Sequence, residues 1–207
     1  SYKQLAREDV TKIGPIAPYR GAFLAEWNLT GDTADHVLIE GDMDIADTAT
    51  AYARFYLFLG KDLRGVTDIF NIFELQGTGN AVEAAVGLRI TTASENVEIG
   101  IGQTTPSVFS TTHILQKGKW YCVELATNAE TNGTGTSDLY IDGTLAQSIT
   151  TITNTAVLRG VLGIQNTLNT TLGHIFIDQL VFDDTRIYPL TDRFATTVRL
   201  TKSSHVF

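Results

Sequence analysis

The sequence predicts an all-β protein built as two packed antiparallel sheets. Three observations point there. Runs rich in Val, Ile, Thr, Phe and Tyr alternate with period two; clusters of Gly, Asn and Asp separate them; and no segment keeps an apolar stripe at helical spacing. The expected strands are residues 22–28, 37–45, 52–59, 68–76, 83–91, 97–101, 119–126, 137–141, 145–150, 158–164, 172–182 and 194–200.

Each strand has its own reason. Residues 52–59 and 68–76 carry large apolar groups on both faces, in Phe55-Tyr56-Leu57-Phe58-Leu59 and Ile69-Phe70-Asn71-Ile72-Phe73. One face of such a strand meets the other sheet, and the second meets a covering loop or a partner. Residues 119–126 alternate cleanly: Tyr121, Val123 and Leu125 share one face, and Trp120, Cys122 and Glu124 share the other. Asp142-Gly143 between Leu139-Tyr140-Ile141 and Thr144-Leu145-Ala146 predicts a hairpin, because a type I′ turn wants positive φ at both central residues. Gly77-Thr78-Gly79-Asn80 has no following helix or lysine, so it reads as a loop and not a phosphate cradle.

The ends read differently. Residues 1–21 form an extended arm with a short helical tendency over residues 4–10, and Gly14-Pro15-Ile16-Ala17-Pro18 forbids regular helix. Residues 22–188 form the sandwich. Residues 189–207 form a second arm or an added strand, locally basic through Arg193, Arg199, Lys202 and His205.

Totals narrow the function classes. At 207 residues the chain can bury a sizeable core without staples. A formal charge of -8 argues against a nucleic-acid partner and against docking on an anionic membrane. No apolar run approaches the ~18 residues of a membrane-spanning helix, and the start carries no basic segment followed by an apolar one. Cys122 is the only cysteine, which excludes an internal disulfide, and its place inside an apolar strand predicts a buried, inert thiol.

Several stretches together resemble a known family. These are Tyr52-Ala53-Arg54-Phe55-Tyr56-Leu57-Phe58-Leu59, Gly118-Lys119-Trp120-Tyr121-Cys122-Val123-Glu124-Leu125, the hairpin Ser137-Asp138-Leu139-Tyr140-Ile141-Asp142-Gly143-Thr144-Leu145, and the closing run from Gly173 to Ile187. In this order they resemble the concanavalin A-like, laminin-G-like jelly rolls. The resemblance covers roughly residues 22–187. It implies a jelly-roll sandwich of the kind found in secreted adhesins, in enzymes and in phage structural proteins, often binding carbohydrate or protein.

The resemblance also names the chemistry to look for. Laminarinase-like members carry Glu-x-Asp-x-x-Glu; here Glu40-Gly41-Asp42 has the first two acids, but Ile45 stands in the third place. Alginate-lyase-like members carry Arg-x-Glu-x-Arg and Gln-x-His, and neither run is present. No catalytic residue is therefore assigned. His36, His113, His174 and His205 are scattered, with no zinc spacing. Calcium has weak candidates in Asp42, Asp44 and Asp47 of one connection, and in Asp183 and Asp184 at the end of the last long strand. The competing reading makes Asp178 and Asp183 turn-orienting residues and pairs Arg186 with one of them. A sugar would want exposed aromatics, and the weak candidates are Trp27, Tyr52 and Tyr188, with Trp120 and Tyr140 beside them. Asn28, Asn132 and Asn169 stand in glycosylation sequons.

The expectation is a non-enzymatic structural or interaction protein. It reads as a bacteriophage virion component, a capsid decoration or tail-associated protein. Its arms would contact other copies of itself or a capsid or tail protein. The alternatives are a carbohydrate-binding adhesion module that meets cell-surface glycan, secreted or on the cell surface, and a glycan hydrolase or lyase.

Overall fold

The computed structural model describes residues 2–6, 23–31, 36–42, 50–65, 68–91, 96–128, 130, 133–153, 157–165 and 170–190. In chain order the strands are β1 (Tyr2–Ala6), β2 (Phe23–Thr30), β3 (His36–Asp42), β4 (Thr50–Leu59), β5 (Asp68–Gln76), β6 (Val82–Ile90) and β7 (Val97–Gly102). There follow β8 (Val108–Leu115), β9 (Trp120–Asn128), β10 (Gly135–Ile141), β11 (Thr144–Ile152), β12 (Arg159–Gln165) and β13 (Leu172–Asp183). The all-β expectation holds. Every strand pairing is antiparallel.

The strands form two sheets. One has seven strands in the order β1-β2-β13-β4-β9-β10-β11, and the other has six in the order β3-β12-β5-β6-β7-β8. Strands distant in sequence lie side by side, as β13 does between β2 and β4. This is the non-sequential ordering of a jelly roll.

The main core lies between the sheets. From the seven-stranded sheet come Trp27, Leu29, Phe55, Leu57, Leu59, Tyr121, Val123, Leu125, Leu139, Ile175 and Ile177. Facing them are Phe70, Ile72, Phe73, Leu75, Val86, Leu88, Ile99, Ile101, Leu162 and Ile164. The alternation read in β9 is correct, since Tyr121, Val123 and Leu125 point into this core. In β5 a register shift between Asn71 and Phe73 breaks the alternation, so both Ile72 and Phe73 join the core. An extra residue in one strand turns the following side chains to the other face.

The two-sided apolar character of β4 has its own cause. Tyr56 and Phe58, on the outer face, join Trp120, Cys122 and Phe176 in a second cluster, and Leu190 packs against it. The segment after β13 thus returns across the outer face of the seven-stranded sheet. Leu190 N–H donates to the Tyr56 hydroxyl at 2.7 Å, and Arg54 donates to the Tyr188 carbonyl at 3.1 Å.

The Asp142-Gly143 turn has φ of 50° and 82°, as the hairpin reading required. Asp142 Oδ1 also accepts the Cys122 N–H at 2.8 Å, tying the turn to β9. Two strands escaped the sequence reading. β8 was not expected, and the helical tendency over residues 4–10 is wrong at Gln4–Ala6, which belong to β1 and pair with residues 23–25 of β2. The strand expected at 194–200, and the remainder of both arms, lie outside the described residues.

Candidate functional site

The two outer faces carry different chemistry. On the six-stranded sheet, Phe73 and Leu75 point inward, so Glu74 and Gln76 point outward, and a polar row forms there. Asn71 Nδ2 donates to Glu74 Oε1 at 2.7 Å, and Gln76 Nε2 donates to Glu74 Oε2 at 2.7 Å. Arg159 of β12 donates to Gln76 Oε1 from Nε at 3.0 Å and from a terminal nitrogen at 2.8 Å. These bonds fix the orientation of each amide: Gln76 gives its oxygen to the arginine and its nitrogen to the carboxylate.

This row is sheltered. Asn71 is 1%, Glu74 2% and Gln76 8% exposed. Both Glu74 oxygens are therefore held by amide donors away from bulk water. The Asn71 amide also donates to the Thr104 carbonyl at 3.3 Å, while its own Oδ1 is buried with no partner among the described residues. An unmatched buried acceptor of this kind marks a place where a donor is missing.

Strand register extends the row to β3. Asp42 is paired with Arg159, which is paired with Gln76; Glu40 is paired with Val161, which is paired with Glu74. Directly paired residues share a face of the sheet. Glu40 and Glu74 thus stand on one rung, two strand spacings or about 10 Å apart across the sheet. The two acids singled out in the sequence, Glu40 and Asp42, lie at register positions beside a carboxylate, an amide and a guanidinium that sequence reasoning did not single out.

Asn71, Glu74, Gln76 and Arg159 were missed for a definite reason. Residues 68–76 were read for their apolar content. The signal that was available is Glu74 itself, an acid between Phe73 and Leu75 in mid-strand. Charged residues are seldom fully buried without partners.

On the outer face of the seven-stranded sheet polar groups stand beside the apolar cluster around Trp120, and the segment after β13 packs over them. Arg186 lies over the Tyr140 ring at 3.8 Å and near the Tyr188 ring at 4.8 Å, and donates from Nε to Glu124 Oε2 at 3.3 Å. Arg186 therefore pairs with Glu124, and the expected pairing with Asp178 or Asp183 is corrected. Burial raises the Glu124 carboxyl above its usual value, and the Arg186 charge and hydrogen bond oppose that rise. Arg54 Nε and Glu124 Oε1 are buried without hydrogen-bond partners among the described residues. Cys122 lies beneath this layer, and burial pushes its thiol up to about 12.

The remaining candidates separate. Trp27 is 0% exposed in the main core, which corrects its reading as a sugar-stacking residue. Tyr52 is half-buried, while Tyr188 is 64% exposed. Asp183 accepts from the Thr185 N–H at 3.1 Å and from its hydroxyl at 2.9 Å, and these two bonds lower its carboxyl. Asp178 accepts the N–H of Gln179, whose φ of 53° marks an irregularity in β13. Both are turn-orienting acids, as the competing reading had it. Asp42 contributes backbone pairing in β3, Asp44 and Asp47 lie outside the described residues, and Asp184 is exposed. Among the described residues no group of three or more His, Cys, Asp or Glu is placed to hold a metal ion. His174 sits between Asp62, at 2.5 Å from Nδ1, and Glu26, at 3.6 Å from Nε2. It clasps the turn after β4 to β13 and β2.

Comparison with known proteins bears on the fold. No family model matches the sequence, and no curated protein matches it. Solved structures do. The endo-β-1,4-glucuronan lyase of the fungus Trichoderma reesei superposes with a TM-score of 0.57 at 12% identity, over 89% of this chain and 87% of that one. The cellulose-induced protein Cip1 gives 0.58 at 11% identity, over 91% and 88%. Alginate lyase AlgAT5 of polysaccharide lyase family 7 gives 0.51 at 14% identity, over 78% and 77%.

These findings overturn the expected function. The reading as a non-enzymatic virion component has no support in the structures that share the architecture, which include glucuronan- and alginate-cleaving enzymes. At such low identity the likeness establishes the architecture alone. The chain has the concanavalin A-like jelly-roll sandwich fold.

Proposed function

We propose that the protein is a glycan-cleaving enzyme whose substrate chain lies on the outer face of the six-stranded sheet, across β3, β12 and β5. The observation that carries the proposal is the hydrogen-bonded row Arg159–Gln76–Glu74–Asn71. The shared fold of uronan lyases supports the same reading.

The first reading is β-elimination from a uronic-acid polymer. A base takes the proton beside the uronate carboxyl, the electron pair forms a carbon–carbon double bond, and the protonated base returns the proton to the departing glycosidic oxygen. Charge builds on the uronate carboxyl as the proton departs, and amide and guanidinium donors are the groups that stabilise it. Glu74, oriented by Asn71 and Gln76, is the base; Arg159 binds the uronate. A positioned base contributes about 10²- to 10⁴-fold.

A second reading, hydrolysis, is favoured by the rung that carries Glu40 and Glu74. Inverting hydrolases hold their two carboxyl groups ~6.5–9.5 Å apart, and two strand spacings separate the backbones of this pair by about 10 Å.

The test is incubation of the purified protein with alginate, glucuronan and a neutral β-glucan. Elimination yields products with a new ultraviolet absorbance from the double bond. Hydrolysis yields reducing ends without it. Glu74→Gln is expected to lower either activity about 10²-fold or more. Binding without cleavage would assign the chain to the carbohydrate-binding modules, and neither binding nor cleavage of any glycan would reject the proposal.

A further inference from the structure

We infer that residues 103–107 form a wall that closes one end of the glycan cleft, so that the protein acts on chain ends. The inference rests on the proposed glycan-cleaving function and specifies its mode. It starts from glycines. Val86, Leu88, Ile99 and Ile101 point into the core, so Gly87, Gly100 and Gly102 present bare backbone on the outer face of β6 and β7.

That bare backbone is covered. A methyl group on Gly102 would overlap the Thr105 carbonyl; one on Gly87 would overlap the Pro106 ring; one on Gly100 would come within 2.6 Å of the Phe109 ring. The segment after β7 therefore folds back flat on the sheet, and Pro106 is buried under it. Three hydrogen bonds pin it. Ser107 N–H donates to the Ile101 carbonyl at 3.0 Å, Asn71 donates to the Thr104 carbonyl at 3.3 Å, and Gln103 donates to the Thr153 carbonyl at 2.6 Å. Beyond it Arg89 is paired with Glu98 and stacked on Phe109 at 4.1 Å.

The consequence is geometric. Arg159 on β12 meets Gln76 on β5, and the row then runs along β5 through Glu74 to Asn71, while the rung through Glu74 continues across the strands to Val161 and Glu40 on one side and to Ala85 and Gly102 on the other. Among the described residues β3 is the edge strand, so that end of the rung meets the sheet's margin. The other end meets the covering segment, where Thr105 lies on Gly102. A glycan lying along the rung enters over β3 and stops at β5. It presents one terminal sugar to Glu74 at the foot of the wall.

Product size and length dependence test this. With alginate or glucuronan polymer, the wild-type protein is expected to release mono- or disaccharides from the first minutes, with little fall in viscosity. The affinity of Glu74→Gln for the matching oligosaccharides is expected to level off after a few sugars. Gly102→Ala, which lifts the segment, is expected to shift the products toward internal fragments. A ladder of internal fragments from the wild type, or affinity that keeps rising with length, would overturn the wall while leaving the glycan-cleaving reading intact. So would unchanged products from a folded Gly102→Ala; if that variant does not fold, the wild-type pattern decides. No cleavage or binding of either polymer would overturn both.

Discussion

Asn71 donates to Glu74 Oε1 at 2.7 Å, yet its own Oδ1 is buried without a hydrogen-bond partner among the described residues. One end of the amide orients a carboxylate, and the other end waits for a donor. Leaving a buried acceptor unmatched costs about 1–3 kcal/mol. Asn71→Ala deletes the unmatched acceptor together with the bonds to Glu74 and to the Thr104 carbonyl. The two effects oppose each other in stability and add in activity. We expect the thermal midpoint to change little, while kcat/KM falls about five- to tenfold, as for one lost hydrogen bond. Unfolding scans and steady-state kinetics check this; a large loss of stability with unchanged kcat/KM would make Asn71 a purely structural residue.

Ionic strength should matter in an uncommon direction. The chain carries a formal charge of -8 and a uronic-acid polymer is a polyanion. Their long-range repulsion is screened as the Debye length falls from about 30 Å at 0.01 M salt to about 8 Å at 0.15 M. KM for the polymer is expected to fall over that range, and KM for a neutral oligosaccharide to stay constant. A KM for the polymer that rises with salt would mean that local arginines outweigh the net charge.

Glu124 predicts a pH effect on stability. Burial holds its carboxyl above the usual value in the folded protein, against the pull of Arg186. A group raised on folding contributes stability that is present below its unfolded value and is lost as pH rises through its folded value. The thermal midpoint of the wild type, relative to Glu124→Gln, is therefore expected to decline as pH rises upward from the ordinary carboxylate range. Parallel melting curves of the two proteins at several pH values measure it, and a difference constant with pH would refute it.

Cys122 should be unreactive while the protein is folded. Its thiol is buried and pushed up to about 12. At pH 8 the thiolate fraction is then on the order of one in ten thousand, before access is counted. Alkylation by iodoacetamide is expected to require unfolding. Rapid labelling of the native protein would contradict the burial of Cys122 in its cluster with Tyr56 and Trp120.

Much of the fold was legible because alternation is local. β5 was read at its observed bounds, Asp68–Gln76, and the Asp142-Gly143 hairpin from its turn chemistry alone. β8 was not. Its run Val-Phe-Ser-Thr-Thr-His-Ile-Leu holds a polar centre, and only pairing along β7 makes it a strand. β5 also shows where alternation fails: the irregularity after Asn71 turns Phe73 inward and Glu74 outward, and no local pattern announces it.

The sequence by itself determined the class of the protein: two antiparallel sheets, an inert lone thiol, a tight hairpin and a net negative charge. It also supplied Glu40 and Asp42 as acids on one strand. Only the tertiary structure decided that β12 lies between β3 and β5, which sets Arg159 against Gln76 across 83 positions of chain. It alone decided that the glycines of β6 and β7 accept a covering segment, and that the run after β13 packs on the outer face of the other sheet. The physical reason is one of range. Side-chain alternation depends on the adjacent backbone, whereas strand order and register depend on how whole sheets bury their apolar faces, and the candidate site is made by the second.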